Sequence, residues 1–170
     1  MRYSRLLFSL ALGFAAGGTA CSGDSASPFE PTPSYALIDV VSGVLLQCAP
    51  LPYSSSTVVI GPGGGSVAFG PHRLVVPSGA LSAPVAITAE VVSGNVNSVR
   101  FQPEGLRFAK SAALTLSYRN CSGLGMLLPK RIAYTSELLS ILELLQSVDL
   151  SGEKQVVGKL NHFSRYAVAY

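Results

Sequence analysis

The chain has 170 residues, 48% of them hydrophobic and only 12% charged, so it is too apolar for a disordered chain and long enough for one domain with its own core. Its formal net charge is +3, and its twelve Lys and Arg form no cluster interleaved with aromatic residues. Binding to a phosphate backbone needs several such contacts together, so a nucleic-acid partner is not expected.

The first segment, "MRYSRLLFSLALGFAAGGTAC", opens with the basic residues Arg2 and Arg5, continues through an apolar stretch at 6–16, and closes on small residues before Cys21. This is the pattern of a secretory signal peptide over 1–20. The apolar stretch is shorter than the roughly 20 residues a membrane-spanning helix needs. Gly18, Thr19, Ala20 and Cys21 resemble the end of a bacterial lipoprotein signal, where small residues precede the cysteine that receives lipid. That family usually carries a large aliphatic residue where Gly18 stands, and ordinary cleavage after Ala20 is the competing reading. The resemblance implies lipidation of Cys21, attachment to a membrane through that lipid, and export to the bacterial cell envelope. Ser22, in place of an aspartate, resembles the pattern that sorts lipoproteins to the outer membrane, facing the periplasm or the cell surface. Without residues 1–20 the chain loses two of its twelve basic residues, leaving ten against nine acidic ones, or +1.

Residues 22–34, "SGDSASPFEPTPS", are rich in Ser and Pro and nearly free of aliphatics, so they cannot bury enough surface to offset the entropy of ordering. A tether over 21–34 is the expectation, followed by an N-terminal extension over 35–56 that carries Cys48. If Cys21 carries lipid, Cys48 and Cys121 have one possible pairing, and an exported chain sits where disulfides persist. Closing a loop of that length contributes roughly 4 kcal/mol on a chain-entropy argument. Metal ligation is the alternative for these thiols, but no second Cys or His stands at zinc spacing to either one. No cofactor and no metal are expected.

From Thr57 onward short apolar runs alternate with turn signals. Strands are predicted at 57–60, 66–69, 72–77, 85–92, 98–103, 113–118, 131–135, 155–160 and 165–170. In "VAITAEVV" the period of two sets Val85, Ile87, Ala89 and Val91 on one face and Ala86, Thr88 and Glu90 on the other. Val99 and Phe101 point inward with Arg100 and Gln102 outward; Leu114, Leu116 and Tyr118 share a face, as do Tyr166, Val168 and Tyr170. Gly63, Gly64 and Gly65 can supply the positive φ that a tight turn into a strand needs. His72, between Pro71 and Arg73, reads as a surface or edge histidine. One region resists: "SELLSILELLQSV", residues 136–148, places Leu138, Ile141, Leu142, Leu145 and Val148 at helical spacing, with Ser136 suited to cap the helix. Many short strands at close spacing imply an all-β domain of two packed antiparallel sheets over 57–170.

Three fragments in order, "GPGGGSVAFGPHRLVVPSGAL" (61–81), "FQPEGLRFAKSAALTLSY" (101–118) and "NHFSRYAVA" (161–169), resemble the ZU-five domain of zonula occludens proteins, uncoordinated-five receptors and ankyrins. The resemblance spans roughly 57–170. It implies a single β-sandwich-like Greek-key domain, placed here after the signal peptide and short linker. It also implies that 131–135 and 141–144 pair as strands, with 136–140 as their connection, and strand is preferred to helix there on that ground.

In some relatives with this domain a His-Phe-Ser motif cleaves itself. Carried over, the Ser164 hydroxyl would attack the Phe163 carbonyl with His162 taking the proton. Against that, cleavage would free only 164–170, and each residue has a structural use: Phe163 as a core aromatic, His162 and Ser164 as partners for backbone groups at a bend. An uncleaved structural motif is preferred. With two histidines and scattered carboxylates the chain shows no general acid/base pair. The expectation is therefore a binding or scaffold module, not an enzyme, held at the cell envelope and presenting loops to a protein or glycan partner.

Overall fold

The computed structural model describes residues 43–170. The expected signal peptide, Cys21, the tether over 21–34 and residues 35–42 lie outside the described residues. Eleven strands make up the described fold: β1 Ser54–Ile60, β2 Gly65–Phe69, β3 His72–Val76, β4 Val85–Val92, β5 Ser98–Gln102, β6 Arg107–Ser117, β7 Arg131–Thr135, β8 Ile141–Leu144, β9 Ser147–Leu150, β10 Gln155–His162 and β11 Arg165–Ala169. One 3-10 turn, Leu124–Leu127, lies between β6 and β7. Six strands form one sheet in the order β1-β4-β5-β11-β7-β8, and five form the other in the order β2-β3-β6-β10-β9. Every pairing is antiparallel.

Alternation along the strands explains why the sheets face each other. In β4 Ile87, Ala89 and Val91 are buried while Ala86 is exposed. In β5 Val99 and Phe101 are buried and Gln102 is exposed; in β6 Leu114 and Leu116 point inward, and Tyr118 just beyond the strand is buried with them. Inward residues of both sheets merge into a single apolar cluster. Aromatic rings join the layers: Phe69 of β2 meets Phe101 of β5 edge-on at 5.6 Å, and Phe101 stacks on Phe163 at 4.9 Å. Such packed pairs contribute beyond the area they bury.

The helical spacing in residues 136–148 does not produce a helix. β7 pairs with β8 across a connection in which Ser136 N–H donates to Ser140 O (2.9 Å) and Leu139 N–H to Ser136 O (3.0 Å). Of the residues at that spacing, Ile141 and Leu142 fall on β8 at the edge of the six-stranded sheet and Val148 on β9 at the edge of the five-stranded one. Tertiary pairing outweighs a local 3.6-residue period here. Strand β9 was not among the strands read from the sequence, because "SVDL" is short and half polar.

Three further differences come from neighbours the sequence does not name. His72 is buried, 2% exposed, and not a surface residue: it shares the inward face of β3 with Leu74 and Val76. Strand β11 is buried on both faces, with Ala167 and Ala169 as enclosed as Tyr166 and Val168, while Tyr170 falls past the strand end and is half-buried. Residues 43–48 are woven into the six-stranded sheet. Leu46 N–H donates to Val168 O (2.9 Å), and Val44 and Tyr170 exchange backbone hydrogen bonds beside the end of β11. Of the glycines before β2, Gly64 is the one with positive φ (78°), and an added Cβ there would stand 2.6 Å from Val76 O.

Candidate functional site

The His-Phe-Ser motif forms the bend between β10 and β11. His162 ends β10, Phe163 drops into the core, and Arg165 opens β11. Around the bend lies an open cleft of about 390 Å³ lined by Glu104, Gly105, Arg107, Tyr134, His162, Phe163 and Ser164. The turn before β6 supplies Glu104 and Gly105, and β7 supplies Tyr134. None of these partners was singled out from the sequence. They stand 28 or more positions from the motif, and pairing alone brings them to it.

The backbone of the motif is held at three points. Phe163 N–H donates to Leu106 O (2.8 Å), Gly105 N–H donates to Phe163 O (3.0 Å), and Phe101 N–H donates to Ser164 O (3.2 Å). Gly105 has φ 75°, the left-handed conformation that favours glycine, so the donor aimed at the Phe163 carbonyl depends on a residue without a side chain. The Phe163 ring is fixed by stacking on Phe101 and by an edge contact with Phe108 at 5.0 Å.

His162 lies edge-on to the Tyr134 ring at 5.0 Å. Its Nδ1 stands 3.4 Å from Phe163 O and 3.4 Å from Tyr166 Oη. The Tyr166 hydroxyl donates to His162 O at 2.6 Å, and burial, with help from Tyr134 and Glu143, pushes that phenol above its ordinary range. A general base must come within about 2.6–3.2 Å of the proton it takes. Among the described residues no hydrogen bond joins His162 to Ser164; the ring's Nδ1 is turned toward the Phe163 carbonyl and Tyr166. The motif thus has a polarised carbonyl and a nearby imidazole, without a made contact between base and nucleophile.

Beside this bend, Arg165 and Arg100 face each other across β11 and β5 and share Glu137. Arg165 also donates to Glu137 O (2.6 Å) and to Ser98 Oγ (3.1 Å), which ties the 136–140 connection to the sheet. Burial, with the Glu137 carboxylate opposing it and Arg100 adding to it, lowers the Arg165 guanidinium from its ordinary value.

At the other end of β11, Cys48 and Cys121 form a disulfide closing 73 positions of sequence. Cys48 N–H donates to Asn95 O (2.9 Å), Ala49 N–H to Asn120 O (2.8 Å) and Cys121 N–H to Tyr118 O (3.1 Å). The bridge therefore pins the chain before β1 to the end of β6, as expected from the two cysteines. Among the described residues no group of three or more His, Cys, Asp or Glu is placed to hold a metal ion. No helix among them is long and apolar enough to cross a membrane. No protein-family model matches the chain, and no curated protein is significantly similar to it. Fold and site together define an all-β module of two antiparallel sheets with one internal disulfide.

Proposed function

We propose that the protein is a non-enzymatic binding or scaffold module, exported and held at the bacterial cell envelope by a lipid on Cys21, presenting its loops to an envelope protein or glycan. The observation that carries this reading is the pairing of the cysteines. Two of the three are joined to each other, which suits an oxidising compartment and leaves Cys21 as the one available for lipid. Within it the fold is a Greek-key sandwich of ZU-five type. The non-sequential order of the six-stranded sheet supports that, as does the position of the three resembling fragments at the β1–β2 turn, at the turn into β6, and at the β10–β11 bend. The test is the mass of the mature N-terminus from membrane fractions. A diacylglyceryl-modified Cys21 is expected; an unmodified Cys21 in the soluble fraction overturns the anchor.

The hydrogen bond from Gly105 N–H to Phe163 O favours a second reading, self-processing at the Phe163–Ser164 bond. Ser164 Oγ would attack the Phe163 carbonyl carbon, an ester would form as the C–N bond breaks, and the hydroxyl proton would pass through His162 to the freed amine of Ser164. Water would then hydrolyse the ester and release 164–170. Because β11 pairs with both β5 and β7, the fragment would stay bound under native conditions, so mass must be measured after denaturation. An intact chain, identical in mass pattern to Ser164→Ala, is expected; loss of 164–170 in the unaltered chain and its restoration by Ser164→Ala would establish cleavage.

A further inference from the structure

The end of the sandwich where the described chain begins carries the most exposed leucines of the fold apart from Leu138. Leu124 is 85% exposed, Leu127 84% and Leu128 51%, all on or beside the 3-10 turn between β6 and β7. Leu127, Leu128 and Pro129 share a hollow of about 320 Å³ with Met126, Asp149 and Ser151, so the patch continues to the end of β9. Apolar side chains displayed together on a turn, where polar residues would serve the fold equally well, mark a contact surface.

Two observations identify what they contact. The first is where the chain arrives. The position of a Cβ on Gly125, inside the turn, is 2.9 Å from Leu46 Cδ1 and 2.5 Å from Tyr170 Cε1, so the turn rests directly on the segment that enters the sheet. Cys21 precedes Gly43 by 22 positions, 43 − 21, which span at most about 75 Å of extended chain. A leash that enters the sheet beside this turn keeps the turn within about 75 Å of whatever holds the leash. The second is charge. Arg119, Arg131 and Lys154 are exposed on the segments that flank the turn and β9, against the exposed Glu153 and the half-buried Asp149 of the hollow. An apolar centre with a basic rim matches the acyl and headgroup layers of an anionic bilayer.

We propose that the Leu124–Leu127 turn is a membrane-contact element that inserts Leu124 and Leu127 into the bilayer surface and sets the orientation of the sandwich, with the opposite end, where the His-Phe-Ser cleft lies, directed away from the lipid. It rests on the proposed anchoring through Cys21. In this orientation the loops free to meet a partner are those at the cleft end: Pro103 to Leu106, the 136–140 connection and the turn after β3.

The chain contains no Trp, so an introduced indole reports alone. Residues 21–170 are coupled through the Cys21 thiol to maleimide lipid in phosphatidylglycerol/phosphatidylethanolamine vesicles, which supplies an anchor whether or not cells do. Leu124→Trp and Leu127→Trp are compared with Val59→Trp, on the exposed β1 edge. The expected result is an emission shift to the blue of about 10 nm or more and quenching by brominated lipid at positions 124 and 127, with neither at 59. Equal emission at all three positions overturns the inference. A blue shift that grows with protein concentration in the absence of vesicles also overturns it, assigning the patch to a second copy of the chain. Failure of the anchoring proposal shows separately, as an unmodified Cys21 in protein taken from cells.

Discussion

His72 offers the sharpest test of how this core is built. Its ring is buried, its Nδ1 accepts the Ser117 N–H at 3.1 Å, and its Nε2 has no hydrogen-bond partner. With Nδ1 accepting, the ring is neutral and carries its proton on Nε2. Protonation would set a second donor against the Ser117 N–H and place a charge beside Phe69, whose ring centre is 5.7 Å away. Burial accordingly pushes the pKa down to about 4 from 6.5. The unfolded chain then binds more protons than the folded one between those values. The stabilisation is complete above pH 6.5 and is lost as pH falls toward 4. Linkage with these two values puts the loss at about 1 kcal/mol at pH 6 and about 2 kcal/mol at pH 5, with a ceiling of about 3 kcal/mol. Two kcal/mol is a sizeable part of the roughly 5–15 kcal/mol that holds a domain folded. The assay is urea unfolding at pH 7.5 and 5.0 for the native chain and for His72→Gln, whose amide oxygen can accept from Ser117 but does not titrate. All other groups are the same in both proteins and cancel in the comparison. The native chain should lose about 2 kcal/mol more than the variant over this range. Equal losses would refute the assignment of a neutral, enclosed ring.

Replacing both Cys48 and Cys121 by Ser should lower stability by about 4 kcal/mol, or roughly 15 °C in Tm by calorimetry, because the bridge closes 73 positions of chain; a change under 3 °C would mean the unfolded ensemble is already constrained there. Phe163→Ala should cost about 3–5 kcal/mol in chemical denaturation, since the ring is enclosed between Phe101 and Phe108. Tyr118→Phe removes a hydroxyl that donates to Asp149 Oδ1 at 2.6 Å, while the other carboxylate oxygen keeps the Lys130 N–H at 2.8 Å, so a loss of about 2 kcal/mol is expected at neutral pH.

Much of the architecture follows from a period of two. Ile87, Ala89 and Val91, and Val99 with Phe101, point inward because successive side chains on a strand leave on opposite faces. The same rule places His72 with Leu74 and Val76, and the flanking Pro71 and Arg73 obscure it: local polarity suggests a surface, while face membership decides burial. Residues 136–148 carry a real 3.6-residue spacing, yet the preferred pairing of 131–135 with 141–144 is what forms: Ile141 and Leu142 lie on β8 and Val148 on β9, and a helix would have left the edge of β7 unpaired. At the cleft, the motif was legible as three letters, but Gly105 and Tyr134, which help decide what it can do, come from other places in the fold.

The amino-acid sequence alone determined that the chain forms short alternating strands from Thr57 onward, that Cys48 and Cys121 can pair, and that His162, Phe163 and Ser164 stand together at a bend. Each of these is set within a few residues, or by counting. Tertiary structure decided which strands became neighbours, and with that the burial of His72, the second coat over β11, and the hydrogen bond that Gly105 directs at the Phe163 carbonyl. The reason is physical: backbone donors and acceptors on a strand edge are identical along the chain, so local residues set which face points inward, and only the packing of the whole core selects the partner on either side.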